Sequence, residues 1–324
     1  MNVPHPIPYQ GSKRHLALEI LRYFPHDARR LIEPFAGSAA VSLAAACYRR
    51  ARSFTLNDIN APLMALWQKI LFEPQTLSEE YRNLWQRQLG REREYYDMVR
   101  ARFNDTHRPD DLLYLLARCV KASVRYNTLG EFNQSPDNRR RGMRPETMTK
   151  HISGAAQLLA GKTEVTCGDY QIALQRATPA DVIYMDPPYQ GVSGRRDMRY
   201  MQGLAFSDFV ETLSELNRKQ LSYLVSYDGR TGAKRHGQLL PSGLNLIRIE
   251  FAAGVSSQAT LLGRRAKTYE ALYLSPALAR RLKLIKAGVN PLPNLRLPAT
   301  LPNPCVRKPA DVPFENRISS NAAQ

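Results

Sequence analysis

Asp186-Pro187-Pro188-Tyr189 is the stretch of this 324-residue chain whose residue types and spacing best suit chemistry. It follows the apolar run Val182-Ile183-Tyr184-Met185, which reads as a buried strand. The two prolines fix φ and remove two backbone donors, so the carbonyls beside them are not tied into a sheet ladder. An acid and such carbonyls at a strand's C-terminal end can face one amino group. An aromatic ring next to them can cover the flat base that carries that group. The arrangement suits methyl transfer to an exocyclic amine of a nucleobase. The plainer alternative is a strand that ends in an ordinary Pro-Pro turn.

A transfer of this kind needs a donor pocket, and other strand ends offer candidates. Glu33-Pro34-Phe35-Ala36-Gly37-Ser38 is a strand-to-helix turn with one glycine. The dinucleotide fingerprint has three, because a pyrophosphate must approach the backbone closely. A nucleoside ligand without a pyrophosphate, such as S-adenosylmethionine, needs less clearance; a purely structural turn is the other reading. Asp58 lies 21 positions after Gly37, at the end of the next strand. In nucleotide-binding βαβ units an acid there accepts hydrogen bonds from ribose hydroxyls. The alternative is that it caps the helix that begins near Ala61, but Asn57 or Asn60 could do so equally well, which favours ribose binding. In Tyr9-Gln10-Gly11-Ser12-Lys13-Arg14, a tight turn would let Lys13 reach a cofactor carboxylate; taken alone, the stretch reads as an ordinary basic, Ser-containing N-cap region. Asp169, in Cys167-Gly168-Asp169-Tyr170, could accept from a cofactor's adenine amino group or cap a loop.

The elements that must position these residues alternate between strand and helix. Helix is expected over 16–23, strand over 30–33, an alanine-rich helix to about Cys47, strand over 53–56 and helix over 61–72. This is a βαβ unit with a parallel strand pair. Further strands are expected at 164–167, 182–185, 221–226, 246–251 and 269–274, the last two antiparallel. Between them, residues 74–160 show helical patterns (77–103 and 111–124) and a polar, arginine-rich loop over 126–147. The chain therefore divides into a catalytic part (1–73), an inserted helical segment (74–160), the rest of the catalytic part (161–285) and a proline-rich basic tail (286–324) expected to pack poorly.

Basic residues outnumber acidic ones 46 to 29, for a formal net charge of +17, and they run through the whole chain. A positive field of that size implies a polyanionic partner, nucleic acid first. A membrane surface would need a basic amphipathic helix or a lipidation signal, and neither is clear. No stretch approaches the roughly 18 apolar residues that span a bilayer, and there is no apolar signal segment at the start. Cys47, Cys119, Cys167 and Cys305 lack metal-ligand spacing and read as reduced, mostly buried thiols of a cytoplasmic protein, with no metal site. Pro304-Cys305 looks like the nucleophile motif of C5-cytosine methyltransferases, but it sits in the tail with no strand or Glu-Asn-Val segment.

Arginine contacts phosphates and guanine edges, and asparagine pairs with adenine. Arg125 and Asn127, then Asn133, then Arg139, Arg140, Arg141 and Arg144 are therefore candidate contacts to double-stranded DNA. The alternative is a solvated charged face. Arg195 and Arg196 follow the Asp-Pro-Pro-Tyr motif and could grip phosphates flanking an extruded nucleotide.

Taken together, these motifs resemble the Dam-like, D12 class of N6-adenine DNA methyltransferases, over about residues 6–275. Tyr9-Gln10-Gly11-Ser12-Lys13 is similar to the family's N-terminal cofactor motif, Pro34-Phe35-Ala36-Gly37-Ser38 to its cofactor loop, Leu56-Asn57-Asp58-Ile59-Asn60 to its ribose-binding acid segment, and Asp186-Pro187-Pro188-Tyr189 to its catalytic motif. Arg125-Tyr126-Asn127 and Gly130-Glu131-Phe132-Asn133 are similar to a DNA-contacting stretch. The motif order is that of the α group. The resemblance implies an α/β fold, a Rossmann-like S-adenosylmethionine-dependent methyltransferase sheet with an inserted helical DNA-recognition domain. It also implies a bacterial, archaeal or phage origin. Catalytic roles then fall to Asp186, Pro187, Pro188 and Tyr189. Cofactor contacts fall to Tyr9, Lys13, Phe35, Gly37, Asp58, Asp169 and Asp186.

The segment 119–124 lacks the aromatic-Asn-Gly pattern of Dam enzymes, so their target sequence does not carry over. Val225-Ser226-Tyr227-Asp228-Gly229 and the stretch 254–260 resemble modification enzymes of restriction systems, which points to a partner restriction endonuclease rather than a solitary regulatory role. The leading acid of the catalytic motif favours adenine over N4 of cytosine, where serine is commoner. An RNA methyltransferase and a non-catalytic DNA-binding module are the remaining alternatives.

Overall fold

Short apolar runs form the strands, and their alternation divides the core in two. The strands are β1 (Arg30–Glu33), β2 (Ser53–Asp58), β3 (Thr163–Cys167), β4 (Val182–Met185), β5 (Tyr223–Thr231), β6 (Lys234–His236), β7 (Ile247–Val255) and β8 (Lys267–Leu274). Successive side chains of a strand point to opposite faces. Leu31, Val182, Tyr184, Leu224 and Leu272 accordingly join one buried apolar cluster, while Ile32, Ile183, Met185, Val225 and Tyr273 join the other. A strand buried on both faces reads as a continuous apolar run, and every residue of β4 is buried. The computed structural model describes residues 2–188, 204–231, 234–236, 238–255 and 267–284. Tyr189, Arg195, Arg196, Cys305, the stretch 256–260 and the tail 286–324 lie outside the described residues.

The sheet runs β3-β2-β1-β4-β5-β8-β7, with β6 paired to β5. The first five of these strands are parallel. β8 is antiparallel to both β5 and β7, as expected for the last two strands read from sequence. Strand order reverses between β1 and β4. The crevice beyond the C-terminal ends of strands at such a switch point is where open α/β sheets bind ligands.

Among the described residues there are ten α-helices: α1 (Ala17–Leu21), α2 (Ala40–Cys47), α3 (Ala61–Phe72), α4 (Pro74–Arg87), α5 (Glu92–Thr106), α6 (Pro109–Arg118), α7 (Pro145–Leu159), α8 (Tyr170–Leu174), α9 (Phe206–Arg218) and α10 (Pro276–Arg281). Pro74, Pro109, Pro145 and Pro276 each open a helix, where a missing N–H costs nothing. The apolar sides of helices α1–α7 belong to the same cluster as β1 and β2; α3 packs on β2 and β3, and α4, α5 and α6 pack on other helices. α8 and α9 join the other cluster through Tyr170, Leu174, Phe209, Leu213 and Leu216.

Several expectations shift. The helical pattern over 77–103 divides at Gly90, whose φ of 82° no helix accommodates, into α4 and α5. The pattern over 111–124 begins at Pro109 and stops at Arg118, because Cys119 turns extended at ψ 160°. The arginine-rich loop ends at Arg144, since Pro145 starts α7. Helices α7, α8, α9 and α10 and strand β6 are additional elements. Of the three described cysteines only Cys119 is buried; Cys47 is half-buried and Cys167 exposed, so "mostly buried" does not hold for them. Among the described residues there is no His, Cys, Asp and Glu group that could hold a metal, and no helix is long and apolar enough to cross a membrane.

Candidate active site and nucleic-acid face

A cavity of about 420 Å³ lies at the switch point. Its lining brings together Tyr9, Lys13, Phe35, Gly37, Asp58, Asp169, Asp186, Pro187 and Pro188. Five separate stretches of chain, each singled out by sequence, thus meet in one space.

The turn after β1 is held from several sides. Gly37 has φ +49°, in the left-handed region, and a Cβ there would lie 3.3 Å from the Tyr9 ring. The Gly37 N–H donates to Asp58 Oδ2 at 3.0 Å, and the Gly37 carbonyl accepts from Trp67 Nε1 at 2.9 Å. Ser38 Oγ donates to Ser12 Oγ at 2.8 Å, tying this turn to the N-terminal motif. Phe35 stacks on Tyr170 with ring centroids 5.0 Å apart.

Asp58 closes β2 and takes one backbone N–H on each oxygen, from Gly37 and from Asn60 at 3.1 Å. Burial raises its pKa, and those backbone donors oppose the rise. Asp58 does not cap α3. Asn60 does, accepting from Leu63 N–H at 3.2 Å. Asp58 also lines the cavity, and a carboxylate there suits a pair of hydroxyls. Asp169 caps α8 through the Gln171 N–H at 2.8 Å while it lines the same cavity.

Asp186 is the first residue past β4. Lys13, in a 3-10 turn over Lys13–His15, places its ammonium 2.9 Å from Asp186 Oδ2 and 3.4 Å from Glu270 Oε2. The sequence aims Lys13 at a cofactor carboxylate; in the structure it engages these two protein carboxylates. Burial pushes the Asp186 carboxyl up to about 6; the Lys13 ammonium opposes this and the Glu270 charge adds to it.

Three residues at the site escape sequence reasoning as individual contributors. Buried Asn57 donates to the carbonyls of Pro34 and Gly168, at 3.1 and 3.0 Å, and accepts from Thr166 Oγ1 at 2.9 Å. It thereby fastens the ends of β1, β2 and β3 together. Its signal was a polar residue beside the acid at the end of an apolar strand. Glu33 is buried at the end of β1, accepts from the Ser42 N–H at the start of α2, and is pushed up to about 8 by burial. Glu270 has no local signal at all.

The candidate DNA contacts gather on one loop-rich stretch. Tyr126 and Phe132 pair as an antiparallel bridge, and Cys119 pairs with Pro136. Asn127 organises the turn between the first pair: its Oδ1 accepts from the Leu129 and Glu131 N–H groups, both at 2.9 Å, and its Nδ2 donates to Glu131 Oε2 at 2.7 Å. The Asn127 side chain is therefore committed to the turn rather than held ready for a base. Asn133 is exposed and Arg125 half-buried.

Buried Asp137 accepts from the Arg139 N–H and from Arg140 Nε, at 3.0 and 2.9 Å, and Arg141 pairs with Glu92 at 2.9 Å. The side chains of Arg139, Arg140 and Arg141 remain 88, 67 and 64% exposed. Such pairs are weak enough to exchange for phosphate. Arg144 is exposed beside them. This stretch is stitched to the cavity by the Gln10 N–H on the Ala122 carbonyl at 2.8 Å and by Asn60 Nδ2 on the Tyr126 hydroxyl at 3.3 Å.

A family model described as D12 class N6 adenine-specific DNA methyltransferase matches residues 9–250. The chain is 29% identical over 234 residues to the DNA N-6-adenine-methyltransferase of Escherichia phage P1; the match covers 68% of this chain and 29% of that protein. It is 28% identical over 237 residues to the DNA adenine methylase of Vibrio cholerae, covering 70% and 82% of the two chains. A retron Ec67 DNA adenine methylase of Escherichia coli is 30% identical over 189 residues, with 56% and 62% covered.

Proposed function

Because the chain belongs to the D12 class of N6 adenine-specific DNA methyltransferases, we propose that it transfers the methyl group of S-adenosylmethionine to N6 of an adenine flipped out of duplex DNA. One observation carries this reading. Asp186 opens into the same cavity as Asp58 and the Gly37 turn, so an amine acceptor and a nucleoside pocket share one space.

The residues present fit that cofactor. The cavity volume lies within the range of small-molecule sites. Asp58, with each oxygen already fixed by one backbone donor, would hold the ribose hydroxyls. Phe35 and Asp169 would border the adenine, and Tyr9 and Gly37 would shape the wall between them. Bound S-adenosylmethionine supplies an electrophilic sulfonium methyl.

The chain's part is to prepare the amine. An N6 lone pair is delocalised into the purine ring and is a poor nucleophile. Asp186 and the Pro187 carbonyl accept the two N6 hydrogens, which localises the lone pair and fixes its direction. Tyr189, on the same motif, stacks on the base. Transfer is then a direct displacement governed by positioning and electrostatics, with no covalent enzyme intermediate: the N6–methyl bond would form as the methyl–sulfur bond breaks, and the proton that N6 sheds would leave along its hydrogen bond to Asp186 toward solvent.

Reaching N6 requires extruding the base, at roughly a few kcal/mol of unstacking and unpairing. Phosphate contacts offset that cost. We assign them to the helical insertion, residues 74–160, through Arg125, Asn133, Arg139, Arg140, Arg141 and Arg144, and to Arg195 and Arg196. A cognate restriction endonuclease is proposed from the likeness of 225–229 and 254–260 to restriction-linked modification enzymes.

Incubation with duplex DNA and S-adenosylmethionine, followed by digestion to nucleosides and mass spectrometry, tests the reading. N6-methyladenine is expected; N4-methylcytosine or no modified base would overturn it.

A further inference from the structure

Lys13 faces two carboxylates, and the proposed chemistry uses only one. Its ammonium lies between Asp186 Oδ2 at 2.9 Å and Glu270 Oε2 at 3.4 Å. Glu270 sits on β8, opposite Gly229 of β5 and Phe251 of β7. Gly229 presents no side chain beside it, and a Cβ there would come within 2.8 Å of the Tyr269 carbonyl. Glu270 Oε2 is buried and accepts no hydrogen bond. What offsets the burial of that oxygen is the Lys13 charge.

Resting on the reading of Asp186 as the amine acceptor, we infer that Glu270 is a positioning residue for methyl transfer, acting through Lys13. An ammonium with Asp186 as its sole anion pairs with it tightly and competes with the substrate amine for the same oxygens. A second carboxylate on the same ammonium shares its charge and returns acceptor strength to Asp186. The described charged groups that face Asp186 are Lys13 from the N-terminal 3-10 turn, Glu270 from β8 and Glu33 from β1. Glu33, pushed up to about 8, is largely uncharged near neutrality. Lys13, Asp186 and Glu270 then leave one net negative charge beside the cavity, which suits a cationic methyl donor.

Glu270→Gln in the full chain keeps the side chain's shape and removes its charge. We expect kcat to fall by about tenfold or more, with affinities for S-adenosylmethionine and duplex DNA within about twofold of wild type. We also expect the acid limb of kcat/KM to move to lower pH, because a neighbour that holds the Asp186 proton on is gone. In a Lys13→Gln background, Glu270→Gln should cost nothing further or restore part of the activity, since the residue acts through Lys13.

A wild-type rate and profile, a lower rate with an unmoved acid limb, or independent, multiplying losses in the double variant would each overturn the inference. If Glu270→Gln does not fold, Glu270→Asp, whose shorter carboxylate withdraws from Lys13, decides: a lowered kcat with the acid limb moved to lower pH supports the role, and an unchanged kcat or an unmoved limb removes it. These outcomes are separate from failure of the functional reading, which would appear as wild-type protein that makes no N6-methyladenine.

Discussion

In the proposed role Asp186 accepts one N6 hydrogen, with the Pro187 carbonyl taking the other, and it must be ionised to do so fully, yet burial pushes its carboxyl up to about 6. Below that pH the group is protonated, one oxygen becomes a donor, and the amine loses an acceptor. The kcat/KM for DNA methylation should therefore climb about tenfold per unit toward pH 6 and level off above it. Steady-state rates from pH 5 to 8 check this; a profile flat through that interval would mean that the ionisation of Asp186 does not matter. The acid itself was legible from residue type and spacing alone. Its partner was not. Lys13 and Asp186 sit at distant points of the chain, and nothing local in Tyr9-Gln10-Gly11-Ser12-Lys13 says that the ammonium turns to a protein carboxylate. Glu270 is harder still, because a single acid in Tyr269-Glu270-Ala271-Leu272 looks like any solvent-facing strand residue until the sheet is assembled.

Among the elements, the turn between β1 and α2 has least tolerance. Gly37 is left-handed, its N–H holds Asp58, and Tyr9 closes over it. Gly37→Ala adds a left-handed penalty of about 1 kcal/mol and forces the Tyr9 ring back from the cavity wall. S-adenosylmethionine affinity should fall by about tenfold, equivalent to about 1.4 kcal/mol, as read by calorimetry. An unchanged affinity would remove this turn from the cofactor site.

The strands were readable because parallel strands at the middle of a sheet are apolar on both faces, and their runs stand out. Asp58 was readable for the same reason, as an acid at the end of such a run. Helix α9 carries Phe206, Phe209, Val210, Leu213 and Leu216 at helical spacing, a pattern that identifies it once α8 is known to leave that face of the sheet uncovered. The Tyr126–Phe132 bridge was not readable. Its turn is built by the Asn127 side chain, which as sequence looks like a base reader.

At the scale of the whole molecule, a net charge of +17 implied a polyanion from composition alone. Fold class and the first parallel strand pair followed from the alternation of strands and helices, whereas the strand order did not. What composition and pattern left open was the join between insertion and sheet. Leu77, Tyr81, Tyr96, Phe103 and Leu113 of the insertion belong to the same apolar cluster as Leu31, Phe54 and Leu56 of the sheet. Together with Gln10 on Ala122 and Asn60 on Tyr126, this makes the arginine-rich stretch and the cavity one structural unit. On the proposed reading, DNA held at the insertion is held in a fixed relation to Asp186. The most direct test of the account is single-turnover methyl transfer by Asp186→Ala, with duplex binding measured alongside. Methylation should be abolished while DNA affinity stays within a few-fold of wild type; near-normal transfer by the variant would contradict the account.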